Sequence, residues 1–196
     1  IGPSALRWDG DGLVIAIDEI AVPVPLRLRG TVRLVPHALA EFACKLDGAA
    51  RHRWRPIAPR AAVDVAMEHP ALRWRGTGYF DSNHGDAPLE HGFAAWDWSR
   101  AHGGGSTAIL YHGQQRDGGR FGFALEFDGQ GRHRLFDPPR RADLPMTAWG
   151  VKRATRADTG TSARVLRTYE DTPFYARSLV ATRLLGRPMI AMHESL

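Results

Sequence analysis

The segment Leu26–Val35 (LRLRGTVRLV) sets Leu26, Leu28, Val32 and Leu34 against Arg27, Arg29 and Arg33. A period of two puts one set on each face of an extended strand, whereas a helix would scatter both sets around its circumference. Strand-like segments recur along the chain. They include Leu13–Val22, Ala61–Met67, Arg73–Phe80, Gly92–Ser99, Thr107–Gln115 and Arg120–Phe127. Gly131–Phe136, Thr147–Arg153, Ala163–Glu170, Phe174–Thr182 and Pro188–His193 follow. Turn formers separate them: Asp117-Gly-Gly119, Asp128-Gly-Gln-Gly131, Asp137-Pro-Pro139 and Asp158-Thr-Gly160. Short strands with turns between them predict an all-β sandwich or barrel. Pro36–Cys44 (PHALAEFAC) is the one helical candidate, and a short one. Lys45–Arg60, rich in Arg, Pro and Ala, is expected to bridge two sheet systems. The expected division is residues 1–55 and 56–196.

Cys44 is the only cysteine, which excludes an intramolecular disulfide framework and a cysteine-based zinc site. The net charge is +5, and Lys45 and Lys152 are the only lysines. The arginines are scattered through strand segments rather than gathered in a block. That distribution suits outward-facing strand positions better than a nucleic-acid groove, and the positive charge reads either as base composition or as attraction to an anionic surface such as a membrane. No apolar run approaches the roughly 20 residues of a spanning helix. The chain begins at Ile1 with no signal-like segment, so it reads as a trimmed piece of a longer protein.

Trp74–Asp86 is the chemically densest stretch. Strand-like Arg73–Phe80 runs into Asp81, Ser82, Asn83, His84, Gly85 and Asp86, which read as a polar turn. Alternation puts Tyr79, Asp81 and Asn83 on one face. Asp81 is either a turn cap or, in an apolar barrel mouth, a general acid. In Arg51-His-Arg-Trp-Arg55 an extended backbone throws His52 and Trp54 to one side and three arginines to the other. This is either a solvated basic strand or a polar-aromatic wall for an apolar ligand. Trp96 and Trp98 share a strand face and suit core packing or ligand lining. His69, His84, His91, His102, His112 and His193 lack metal-ligand spacing, so no metal is expected. No nucleophile elbow, phosphate loop or dinucleotide fingerprint is present.

The core Gly-Thr-Gly-Tyr79-Phe-Asp81-Ser-Asn83-His84-Gly85 resembles the Gly-x-Gly-Tyr-x-Asp-x-Asn-x-Gly motif of the carotenoid 1,2-hydratases, or hydroxyneurosporene synthases. Trp96-Asp-Trp98-Ser-Arg100, Pro173–Ser178 and the tail Met192–Leu196 are also similar to that family. The resemblance runs from about Trp8 to the end. It implies a lipocalin-like (calycin-type) β-barrel architecture of two β domains, the N-terminal one truncated here. It implies cofactor-free addition of water to the terminal C1–C2 double bond of acyclic carotenoids such as lycopene and neurosporene. The motif acid falls on Asp81, the motif tyrosine on Tyr79, and the upstream His-x-Trp pair on His52 and Trp54. Trp96, Trp98, Tyr111 and Phe80 are then expected to line the substrate, with Asn83 and His84 supporting the site.

The chemistry is consistent with that implication. Protonating C2 from Asp81 leaves a tertiary cation at C1. Trp54 and Tyr79 faces can stabilise the cation by about 0.5–2 kcal/mol each when desolvated. Water held by His52 then attacks C1. The expected partners are an acyclic carotenoid, water and membrane lipid. The expected location is bacterial, peripheral on the cytoplasmic or intracytoplasmic photosynthetic membrane. The competing readings are a non-catalytic lipocalin-like carrier of an apolar ligand and a related barrel catalysing pericyclic cyclisation.

Overall fold

The computed structural model describes residues 2–196. The strands are β1 (Ala5–Asp9), β2 (Gly12–Ile20), β3 (Arg27–Pro36), β4 (Cys44–Lys45), β5 (His52–His69) and β6 (Leu72–Gly85). After the one-turn helix α1 (Leu89–Gly92) come β7 (Phe93–Gly103), β8 (Ser106–Gln115), β9 (Arg120–Phe127) and β10 (His133–Phe136). The chain ends with β11 (Arg140–Leu144), β12 (Arg153–Ala157), β13 (Arg164–Asp171), β14 (Ala176–Leu184) and β15 (Arg187–Ser195). No helix among the described residues is long and apolar enough to cross a membrane.

Two compact units emerge, each built from two pieces of chain. One comprises Ile1–Glu41 and Pro56–Asp81, the other Phe42–Arg55 and Ser82–Leu196. In the first unit β1, β2, β3 and β5 form an antiparallel ladder in that order. β6 returns along β5 after the turn at Pro70 and Ala71. Its core is Leu13, Leu34 and Ala61, with Ile15, Val63 and Phe80 against it. Leu34 turns inward and Leu28 is half-buried, as alternation predicts, but Leu26 precedes β3 and is exposed.

A glycine is required where β3 meets β5. A Cβ on Gly30 would lie 2.6 Å from both Ala66 O and Met67 Cα, which are backbone atoms of the facing strand. Neither can move without opening the ladder. Gly30→Ala is therefore expected to cost about 2–3 kcal/mol in urea unfolding. An unchanged midpoint would show that the strands separate freely there.

In the second unit seven antiparallel strands run in the order β10-β9-β8-β7-β15-β14-β13. One face carries small apolar residues: Ala101, Ala108, Leu110, Ala124, Leu184, Met189 and Ala191. The hairpin β11–β12 is separately paired, and β12 lies against β7, β14 and β15. Arg153 on β12 is buried. Its guanidinium donates to Pro145 O, Thr168 Oγ1 and Ser178 Oγ, so burial leaves its charge well solvated by protein groups.

Three expectations change. Pro36–Cys44 is not helical. His37 N–H bonds Arg60 O and Ala40 N–H bonds Ile57 O, so pairing beside β5 outweighs a short segment's helix propensity. Lys45–Arg60 does pass from one unit into the other, between Arg55 and Pro56, but it does so as the first half of an 18-residue strand rather than as a separate linker. Pro56 and Pro59 fall between the part of β5 paired with β4 and the part paired with β3, so neither ladder loses a donor. Thr147–Arg153 is a loop closed by Gly150 N–H to Thr147 O, and the strand begins at Arg153. Its partner β11 was not anticipated, nor was α1.

Candidate active site

Strand β6 carries the motif tyrosine and aspartate. It does not break at Asp81 as its turn-forming residues suggest but stays extended to Gly85. Alternation puts Tyr79 and Asp81 side by side, and the Tyr79 hydroxyl donates to Asp81 Oδ2 at 3.1 Å. Both are half-buried. Phe80 points the other way, onto the Leu13–Leu34–Ala61 core. A hydroxyl donor to a carboxyl oxygen binds more tightly as negative charge develops there.

The second unit holds His52 and Trp54. β5 begins with buried, exposed and buried positions, so His52 and Trp54 face inward while Arg51, Arg53 and Arg55 face out. His52 Nδ1 lies 2.6 Å from Asp47 Oδ2, and its Nε2 lies 3.0 Å from Ala87 O. A carbonyl only accepts, so Nε2 carries a proton. Asp47 also accepts Arg51 N–H at 2.9 Å. Burial pushes the Asp47 carboxyl up, but the His52 and Arg51 bonds outweigh it and hold it below the usual range. The expectation that His52 holds the attacking water meets this geometry: both ring nitrogens already face protein acceptors.

Room for the ring comes from glycine. A Cβ on Gly85 would lie 2.7 Å from His52 Cδ2, so the last glycine of the motif is a close-approach position. Phe93 meets the ring edge-on at 5.0 Å. Beside it lies a cavity of about 80 Å³, bordered by Leu46, His52, Arg53, Asn83, His84, Gly85, Ala87 and Leu89. That is space for water. Asp47 is the site residue that sequence reasoning missed.

Trp54 is fully buried in an aromatic cluster. Phe123 stacks on it at 5.4 Å, while Tyr111 at 5.5 Å and Phe42 at 6.0 Å meet it edge-on. Trp96 lies 6.0 Å from Tyr111. Trp98 and Tyr111 are buried, and Trp96 is half-buried. Structure thus unites Tyr79 with Asp81, His52 with Asn83 and His84, and Trp54 with Tyr111.

A further polar network lies across β7, β8 and β15. Register places His112 and Ser195 on either side of Asp97, with His193 beside Ser99. His112 Nε2 is 3.1 Å from Asp97 Oδ2, Ser195 Oγ donates to Asp97 Oδ1, and His193 Nε2 is 3.0 Å from Ser195 Oγ. Burial raises Asp97, but the His112 and Ser195 bonds bring it below the usual carboxylate range. Burial pushes His193 down to about 4; Asp97 opposes this, and His112 and Arg153 add to it.

An unfolded histidine titrates near about 6.5. In the interval between, the unfolded chain binds a proton that folded His193 refuses. Stability is therefore full above that value and is lost as pH falls toward the folded value. Urea unfolding at about pH 5 is expected to show about 2 kcal/mol less stability than at about pH 7 from this group. A His193→Asn variant should lack that share of the loss; an equal loss in the variant would remove His193 as its cause.

A family model described as carotenoid hydratase CrtC matches residues 1–196. The acyclic carotenoid 1,2-hydratase of Thiocapsa roseopersicina is 50% identical over 197 residues, covering 100% of this chain and 49% of that protein. That of Rubrivivax gelatinosus is 46% identical, covering 100% of this chain and 48% of the relative. That of Cereibacter sphaeroides is 37% identical, covering 100% and 70%. The chain spans about half the length of the first two relatives. A crystal structure titled as a putative AttH from Nitrosomonas europaea superposes with a TM-score of 0.61 at 17% identity, covering 98% of this chain and 67% of that one. CghA, solved with Sch210972, gives 0.59 at 11% identity, covering 95% and 64%. At these identities the likeness establishes the fold alone, the lipocalin-like all-β architecture expected from the sequence.

Proposed function

The chain belongs to the CrtC carotenoid hydratase family, and on that premise we propose that it supplies the acid that hydrates the terminal C1–C2 double bond of an acyclic carotenoid. The observation carrying the assignment is the Tyr79 hydroxyl bonded to Asp81 Oδ2 at 3.1 Å on a half-buried stretch of β6.

The reaction begins with Asp81 in its acid form, favoured when an apolar polyene covers it and displaces water. The carboxyl proton goes to C2, forming a C–H bond and leaving a tertiary cation at C1. Tyr79 holds the carboxylate as it forms. Water adds its oxygen to C1 and returns a proton to Asp81, so the aspartate ends as it started. The sum is alkene plus water to tertiary alcohol, and no electron leaves or enters. His52 and Trp54 act as positioning residues in this scheme. His52 is locked by Asp47 and Ala87, and Trp54 by its aromatic neighbours. Trp96, Trp98 and Tyr111 are proposed as apolar lining within the second unit, whereas Phe80 packs on the core of the first, on the face opposite Asp81.

A long polyene arrives from lipid, so we place the protein peripherally on a bacterial membrane. The net charge of +5 supports attraction to an anionic surface. Full-length protein given lycopene in 18O-labelled water is expected to yield a 1-hydroxy product carrying the label. Lycopene bound and released unchanged would favour a carrier, and an unlabelled rearranged product a pericyclic catalyst; either would overturn the hydratase reading.

A further inference from the structure

A second cavity, of about 520 Å³, opens where β7, β8 and β9 share one end of their sheet, with β11 and β12 at its wall. Its volume suits a ligand larger than water. Arg120, Arg141 and Arg156 line it, and Asp97 is the one carboxylate among the lining residues.

Two features make this wall unusual. Arg141 and Arg156 stand directly opposite each other in the β11–β12 ladder. Like charges at that position repel, and strand pairs ordinarily avoid them. Arg141 is relieved in part by exposed Asp143 at 2.9 Å, and Arg156 donates to the uncharged Pro139 O. Burial and the neighbouring Arg141 both depress the Arg156 guanidinium, and Asp97 only partly offsets them. Asp97 is already occupied by His112 and Ser195. The second feature is a set of unmet polar atoms. Trp96 Nε1 and His112 Nδ1 are buried with no hydrogen-bond partner among the described residues, and both side chains line the cavity. A buried N–H left unpaired costs stability that a ligand oxygen can restore.

We propose that this cavity binds a phosphate group, held by Arg120, Arg141 and Arg156 with Trp96 Nε1–H as an additional donor. Guanidinium forks match phosphate oxygens in pairs, and the phosphate removes the repulsion between the facing arginines. The phosphate belongs either to a free small molecule or to a phospholipid headgroup. The site shares Trp96 with the proposed lining of the polyene but uses neither Asp81 nor Tyr79, so it does not depend on the hydration chemistry.

The test uses full-length protein and two variants, Arg120→Gln and Arg141→Gln/Arg156→Gln. Thermal unfolding is followed with rising inorganic phosphate against chloride at constant ionic strength. The wild type is expected to gain melting temperature with phosphate and both variants to lose most of that gain. In phosphate-free buffer the double variant should melt at or above the wild type, because the facing charges are gone. Sedimentation with phosphatidylglycerol or phosphatidylcholine vesicles distinguishes the source. A headgroup site predicts pelleting that both variants weaken more than does Arg7→Gln/Arg167→Gln, which removes two exposed arginines outside the cavity. A free-phosphate site predicts phosphate stabilisation with equal pelleting by all variants. Undiminished phosphate stabilisation in both variants, or neither phosphate stabilisation nor variant-sensitive pelleting in the wild type, overturns the proposal.

Discussion

Asp81→Asn is expected to slow hydration by about 10²–10⁴-fold, the span that a positioned general acid contributes. The substitution is close to isosteric. A carboxamide oxygen still accepts the Tyr79 hydroxyl, which reaches Asp81 Oδ2 at 3.1 Å. What it lacks is an acidic proton for carbon. Asp81 is half-buried at the edge of its unit rather than within the Leu13–Leu34–Ala61 core, so the fold should survive the change. Two measurements belong together: the rate of 18O incorporation into the tertiary alcohol, and the thermal unfolding midpoint. Activity should collapse while the midpoint stays close to wild type. Turnover at the wild-type rate would remove Asp81 from the mechanism and leave Tyr79–Asp81 as a structural pair.

The legible parts of this fold are those governed by local alternation. Arg120–Phe127 has the bounds its sequence predicts because its turns, Asp117-Gly-Gly119 and Asp128-Gly-Gln-Gly131, are chemically explicit. Tyr79 and Asp81 met because residues two apart on a strand share a face. His52 and Trp54 turned inward for the same reason. The missed parts depend on long-range pairing. Pro36–Cys44 has helix-forming residues, but bonds to Ile57 and Arg60 draw it out. The polar residues after Asp81 resemble a turn, yet β6 continues through them to Gly85. Asp97, His112, His193 and Ser195 are brought together only by the β15–β7–β8 register, which no single segment encodes. Asp47 was missed for a subtler reason. It sits five residues before His52, across a turn in which Ala50 adopts a positive φ of 58°, so its orientation cannot be read from alternation.

Asp47→Ala is expected to destabilise the protein by about 3–5 kcal/mol, more than any exposed ion pair in this chain would. The Asp47 and His52 side chains are only 5% and 3% exposed, so neither the carboxylate nor the ring has water to fall back on. Their bond is 2.6 Å, and the same carboxylate accepts Arg51 N–H. Alanine would orphan two donors at once and leave the imidazole against Phe93 and Gly85 with nothing at Nδ1. Removing both partners should cost less than the sum of the single changes, because neither the carboxylate nor the imidazole is left facing a missing partner and only Arg51 N–H and Ala87 O stay unmet. Urea unfolding of Asp47→Ala, His52→Leu and the double variant closes that cycle. A coupling of at least about 1.5 kcal/mol is expected between the two positions. Additive losses would mean that His52 finds water through the adjoining cavity, and the Asp47–His52 bond would then orient the ring without holding the second unit together.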